Sequence, residues 1–139
     1  EDGVTNDNSP SSDVIKAWGG DTVINAQTER PDSFNLTLIE CLNIDVLKRV
    51  YGDANVSESS GAITVMATSD ALEAGVWVID MILKGGKAKR IVIPAGTISS
   101  VGTITYKDDE AIGYEITITD TPVYDSTANK SVYHYEYIA

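Results

Sequence analysis

The chain has 139 residues, 42% of them hydrophobic, with one cysteine and a formal net charge of −11. That length suits one domain with a real core, and no apolar run approaches the ~20 residues needed to cross a bilayer. The balance of 21 acids against 10 bases excludes a protein that grips nucleic acid or anionic membrane through a basic face.

Residues Glu1–Asp13 open the chain with Asp2, Asp7 and Asp13 among Asn, Ser and Pro. This composition predicts a mobile acidic arm. It lacks the D-x-[DN]-x-[DN]-G spacing and closing Glu of a calcium loop. No leader is visible, and the chain begins without Met, so an upstream piece is expected. Val14–Trp18 leads into Gly19-Gly20, and Asp21–Arg30 reads as a strand, with Pro31-Asp32 as a break or bulge.

The next stretch organises the rest. In Ser33–Glu40, Phe34, Leu36 and Leu38 alternate with Asn35 and Thr37, the period of two of a half-buried strand. Asn43 is typed as an N-cap. Ile44, Leu47, Val50 and Tyr51 then form an apolar stripe at spacings of three, four and seven. Asp45 near the start and Lys48 and Arg49 near the end complement the helix dipole, and Gly52 ends the helix. A helix this short is marginal alone, so its stripe must pack on the sheet. Cys41, the only cysteine, allows no internal disulfide and reads as a small packed residue.

Asp53–Gly61 then reads as a polar loop, Ala62–Thr68 as a strand, and Ser69–Ala74 as a turn or short helical piece. Val76–Lys84 and Lys87–Ile93 flank Gly85-Gly86 as a hairpin with a two-residue loop, ended by Pro94 and Gly96. Val101–Tyr106 and Ile112–Asp120 follow, joined by Lys107–Ala111. In the second, Ile112, Tyr114, Ile116 and Ile118 share a face. After Pro122 and an Asp125–Lys130 loop, Val132–Ile138 is a last strand in which Tyr133, Tyr135 and Tyr137 alternate with His134 and Glu136. About eight strands and one helix predict a mainly β fold: an antiparallel β-sandwich or half-barrel flanked by one short α-helix.

Charge concentrates at the hairpin, in Lys84, Lys87, Lys89 and Arg90. With a two-residue loop, Lys84 faces Lys87 and Ile82 faces Lys89. Like charges opposite one another are unfavourable, so the patch asks for acids from a partner. A second copy supplies them through Asp108, Asp109, Glu110 or the arm residues Asp2 and Asp7. The competing reading is a solvated tip whose lysines block edge pairing.

Nothing in the sequence points to catalysis. His134, the sole histidine, has no Cys or second His for a metal site and no serine placed as its nucleophile, and reads as a surface strand residue. Asp108-Asp109 reads as a solvated turn. Gly19-Gly20 and Gly85-Gly86 are turn signals, not phosphate loops. Asn35, Asn55 and Asn129 stand in N-x-[ST] triplets with nothing else to indicate secretion. The tyrosine strand reads as one packed face, or alternatively as a sugar-stacking platform. No catalytic residue, cofactor or metal is expected.

Several segments together resemble the major tail proteins of long-tailed bacteriophages, the tail tube subunits of siphophages. They are Lys16–Asp21, Ser33–Glu40, Asp45–Val56, Lys87–Pro94 with Gly96, Ile112–Thr119 and Tyr133–Tyr135. They stand in the order familiar from that family and span nearly the whole chain. The resemblance implies a sandwich or half-barrel that assembles with copies of itself. Six copies form a ring through intersubunit sheet, and rings stack into a hollow tube. It implies a tape-measure protein in the lumen, tail terminator and tail-tip proteins at the ends, and passage of DNA without specific binding. It also implies residence in the virion after assembly in the host cytoplasm. Family members carry more chain before the position matching Glu1. Rival classes are a monomeric immunoglobulin-like or carbohydrate-binding module, a secretion-system tube ring, and an enzyme.

Overall fold

The computed structural model describes residues 3–16, 18–20, 22–107 and 112–139, with the side chains of 22–26 and 28 outside that description. In chain order the elements are β1 (Thr5–Asp7), β2 (Ser11–Lys16), β3 (Thr22–Glu29), β4 (Ser33–Leu38) and α1 (Ile44–Tyr51). A 3-10 turn (Asp53–Asn55) follows, then β5 (Val56–Ser59), β6 (Ala62–Val65), β7 (Gly75–Ile82) and β8 (Ala88–Val101). The last are β9 (Tyr114–Asp120), β10 (Val123–Asp125), β11 (Lys130–Val132) and β12 (Tyr135–Ile138). One curled antiparallel sheet forms a half-barrel flanked by the one α-helix among the described residues.

The sheet runs β1-β4-β9-β8, with β7 on the far edge of β8. The organising strand behaves as its alternation predicts. Phe34 is buried on β4 and pairs with Ile118 of β9. On β9, Tyr114, Ile116 and Ile118 point inward while Glu115 and Thr119 are exposed. Ile91, Ile93 and Ile98 of β8 join them, and Leu47 and Val50 of α1 close the core. The helix cap is as typed. Asn43 Oδ1 accepts from the Asp45 N–H at 2.9 Å, and Gly52, at φ 98°, donates its N–H to the Lys48 carbonyl.

β8 departs from expectation. It runs through Pro94 and Gly96 to Val101, and residues 102–107 form no strand. The reason is a change of partner on one edge. β12 pairs with Lys89–Val92, and β9 takes over from Gly96. Pro94 lies in the gap between them, where no ladder bond needs its missing N–H. Gly96 sits at the changeover. A Cβ there would lie 2.7 Å from Ile118 Cγ2 and 2.8 Å from Trp77 Cδ1, so only glycine lets the strands approach.

The opening segment is also corrected. Where described, it is not a loose arm: β1 pairs with β4, and β2 pairs with β3 as a hairpin. Its polarity hid this, because β1 is fastened by side-chain bonds. Asn6 Nδ2 donates to Asp32 Oδ1 at 2.8 Å and to the Ser33 carbonyl at 3.1 Å. The expected Asp53–Gly61 loop contains β5, paired to β6 through Ser60-Gly61. Both turn residues have positive φ, the geometry a two-residue hairpin requires. Ser69–Ala74 forms neither helix nor strand. Cys41 is a free thiol packed against the core. No helix among the described residues is long and apolar enough to cross a membrane.

Candidate functional site

Two places hold the residues that the core does not explain: the outer face around β7, and a buried cluster where β9 and β12 meet on β8.

The β7–β8 hairpin closes over a loop one residue longer than the sequence suggests. Leu83 donates its N–H to the Lys87 carbonyl, and Gly86 donates to the Leu83 carbonyl, leaving a three-residue loop, Lys84–Gly86. Gly85 and Gly86 both have positive φ. The register places Asp80 opposite Arg90 and Met81 opposite Lys89. The expected facing of Lys84 with Lys87, and of Ile82 with Lys89, is therefore absent. Arg90 instead donates twice to Asp80, at 2.7 and 2.8 Å, which holds the Asp80 carboxyl below its usual range. Lys89 Nζ pairs with Glu136 at 2.9 Å on the opposite face. Two of the four cations thus find acids within their own chain. Lys84 and Lys87 remain exposed at the tip. Asp7 lies exposed on β1, its carboxyl lowered by hydrogen bonds from Ser9. Asp2, Asp108, Asp109 and Glu110 lie outside the described residues.

What the hairpin does expose is apolar. Val76, Val78 and Ile82 point outward from β7, with Val78 55% and Ile82 82% exposed. Tyr137 of β12, opposite Arg90, lies on the same face. A shallow trough there is lined by Ile82, Ala88, Arg90, Val92 and Tyr137. No described strand pairs with the outer edge of β7, so its alternate N–H and C=O groups are free for another strand. A second projection is the β2–β3 hairpin. All of β2 is exposed, including Val14 and Ile15, and Trp18 at the turn is fully exposed.

The tyrosine strand faces the other way from expectation. Val132–Ile138 is interrupted at Tyr133-His134, and β12 then turns Tyr135 and Tyr137 outward, stacked on each other at 6.5 Å. Tyr135 also donates to Asp125 Oδ2 at 2.6 Å. The inward phase falls to His134. Its side chain is largely buried, with Nδ1 hydrogen-bonded to Asp32 Oδ2 and 3.9 Å from Asp120 Oδ2. Phe34 packs edge-on against the imidazole at 5.0 Å.

Asp32 and Asp120 are both buried, at 2% and 4% exposure. The Asp120 N–H donates to the Asp32 carbonyl, which pins the two segments together. Neither Asp120 carboxylate oxygen has a donor. Burial first, then the adjacent Asp32 carboxylate, push its pKa up to about 8. Protonated, Asp120 donates to Asp32; ionised, it faces only another acceptor. One oxygen from each Asp and His134 Nδ1 lie within 4.8 Å of one another. Asp120 carried a readable signal, being in phase with Tyr114, Ile116 and Ile118. His134 carried none, because the break before β12 resets the alternation.

This arrangement predicts a pH dependence. The folded Asp120 holds its proton between the unfolded value near ~4 and about 8. The stability it contributes is full below ~4 and is lost as pH rises toward 8. His134, Asp32, and Glu136 beyond it are the ionisable groups that face it. In chelator, the unfolding free energy of wild type relative to Asp120→Asn should fall by a few kcal/mol across that window. A flat difference, by urea denaturation at several pH values, would show that Asp120 titrates normally.

Comparison with protein-family models, with curated proteins and with solved structures finds no match to this chain.

Proposed function

We propose that this chain is a structural subunit that assembles with copies of itself, as stacked hexameric rings, into the tube of a bacteriophage tail. The observation that carries the self-assembly reading is the outer face of β7, apolar, exposed and bordered by an open strand edge. Apolar patches of this kind on a folded surface mark interaction sites. A half-barrel closes most simply by adding the same sheet from a neighbour, which satisfies the open edge. The tail tube assignment itself rests on the resemblance of the quoted segments. The net charge of −11 suits a conduit through which DNA slides without adhering. In this reading the tape-measure protein occupies the lumen, terminator and tail-tip proteins cap the ends, and the tube resides in the virion. The β2–β3 hairpin, with Trp18 at its turn, reaches toward a neighbouring subunit or ring.

Negative-stain electron microscopy of concentrated protein tests the reading. Rings or hollow tubes are the expected result. Dispersed monomers, together with specific retention on a carbohydrate column, would overturn it in favour of a binding module.

A further inference from the structure

We propose that Asp32, Asp120 and His134 form a binding site for one divalent transition-metal ion of the zinc class, which fastens the seam where β12 and β9 meet on β8. This site is independent of whether the chain forms tubes. Three observations converge on it. The first is geometric: one oxygen from each carboxylate and His134 Nδ1 already lie within 4.8 Å of one another. Ligands bound at about 2.0–2.2 Å need Asp120 to draw in from 3.9 Å and the His134–Asp32 hydrogen bond to open as the ion replaces its proton.

The second is the state of Asp120. Both of its carboxylate oxygens are buried and have no donor, and they are aimed at the imidazole and at Asp32. Buried polar atoms in native proteins are almost always satisfied, and a cation among these donors supplies the partner they lack. Charge agrees: once an ion displaces the Asp120 proton, two carboxylates and a neutral imidazole present two negative charges in a buried site, and a divalent ion cancels them.

The third is the support around the donors. Asn6 Nδ2 holds Asp32 Oδ1, which leaves Oδ2 on the His134 side, where an ion would take the place of the proton it now shares with Nδ1. With the imidazole proton on Nε2, that nitrogen faces Glu136 Oε1 at 3.8 Å. A carboxylate behind a ligating histidine is the usual orienting arrangement. Phe34 walls one side of the ring. The mixed nitrogen and oxygen set favours zinc or a related first-row ion over calcium or magnesium, which prefer oxygen alone. Water fills the remaining position of a four-coordinate ion.

The test uses the full chain stripped by chelator and dialysed. Calorimetric titration with Zn2+ should give one equivalent bound, and a rise in Tm of several degrees at about a hundred-fold excess over Kd. Asp120→Asn and His134→Gln should each weaken binding at least ten-fold. Asp120→Asn replaces a carboxyl that is protonated in the metal-free protein with a neutral amide of the same shape, still able to donate to Asp32, so it should fold as well as wild type without metal. Its loss of response therefore cannot be read as unfolding. Co2+ bound to the wild-type chain supplies a readout without any substitution, through visible absorption bands of nitrogen and oxygen coordination. Absence of stoichiometric Zn2+ binding by wild type overturns the proposal. So does binding retained in both variants, which would place the ion on surface acids, and so does a response to Ca2+ with none to Zn2+.

Discussion

Replacing Val78 and Ile82 together with Glu should abolish ring and tube formation while leaving the monomer folded. Both side chains point away from the core, on the face of β7 opposite Trp77, Ile79 and Met81. Substitutions at such exposed positions usually change stability by no more than ~0.5 kcal/mol. In an assembly that covers this face, each glutamate is desolvated without a partner, at a cost of several kcal/mol. The penalty repeats at every subunit contact, so a closed ring accumulates it. Sedimentation velocity and electron microscopy read the assembly, and thermal unfolding reads the monomer. The comparison that isolates the face is Lys84→Glu with Lys87→Glu. That pair changes more charge but sits in the loop beyond the ladder, and should weaken assembly less. Normal tubes from the Val78 and Ile82 variant would show that the face stays in solvent.

Phe34→Ala should be the most damaging single truncation, costing about 3–5 kcal/mol. Phe34 is 1% exposed and stands between Asn6 and Ile118 on the two strands that flank β4. Its ring also braces the His134 imidazole. Truncation therefore leaves a cavity in the core and frees the wall of the Asp–His cluster at once. Against a total stability of about 5–15 kcal/mol for an ordinary domain, the variant sits near the threshold of unfolding. Urea denaturation with an unchanged slope checks the value. Trp18→Ala is the internal control. It removes a larger side chain, but one wholly in solvent, and should leave the midpoint where it was. A Phe34→Ala cost below ~1 kcal/mol would place the core elsewhere.

The parts of the fold that were legible in the sequence are those where one local rule decides. α1 has its stripe, cap and closing glycine in one short stretch, and forms as read. β4 and β9 alternate cleanly, and each buries the face its alternation assigns. Legibility fails where a distant partner decides. Pro94 reads as a strand end, and only the handover from β12 to β9 makes it tolerable inside β8. The hairpin glycines mark the turn, but one residue in loop length moves every cross-strand pair. That shift separates Lys84 from Lys87 and gives Arg90 to Asp80. The Asp–His cluster is the extreme case, since its members come from three segments far apart in sequence. The outer apolar face was hidden for another reason: a strand with apolar residues on both faces, like β7, looks buried until its neighbours are counted.

The cluster also bears on how uniquely the chain can pair. Sliding β9 by one residue against β4 turns Tyr114, Ile116 and Ile118 to solvent, and hydrophobicity alone forbids it. Sliding it by two restores an apolar residue to every inward position, so hydrophobicity alone hardly objects. Only Asp120 objects. It would leave the level of Asp32 and His134, losing its backbone bond to Asp32 and putting Ile118 beside those two polar groups. The polar group that the core tolerates least is therefore the one that separates the native pairing from its nearest counterfeit.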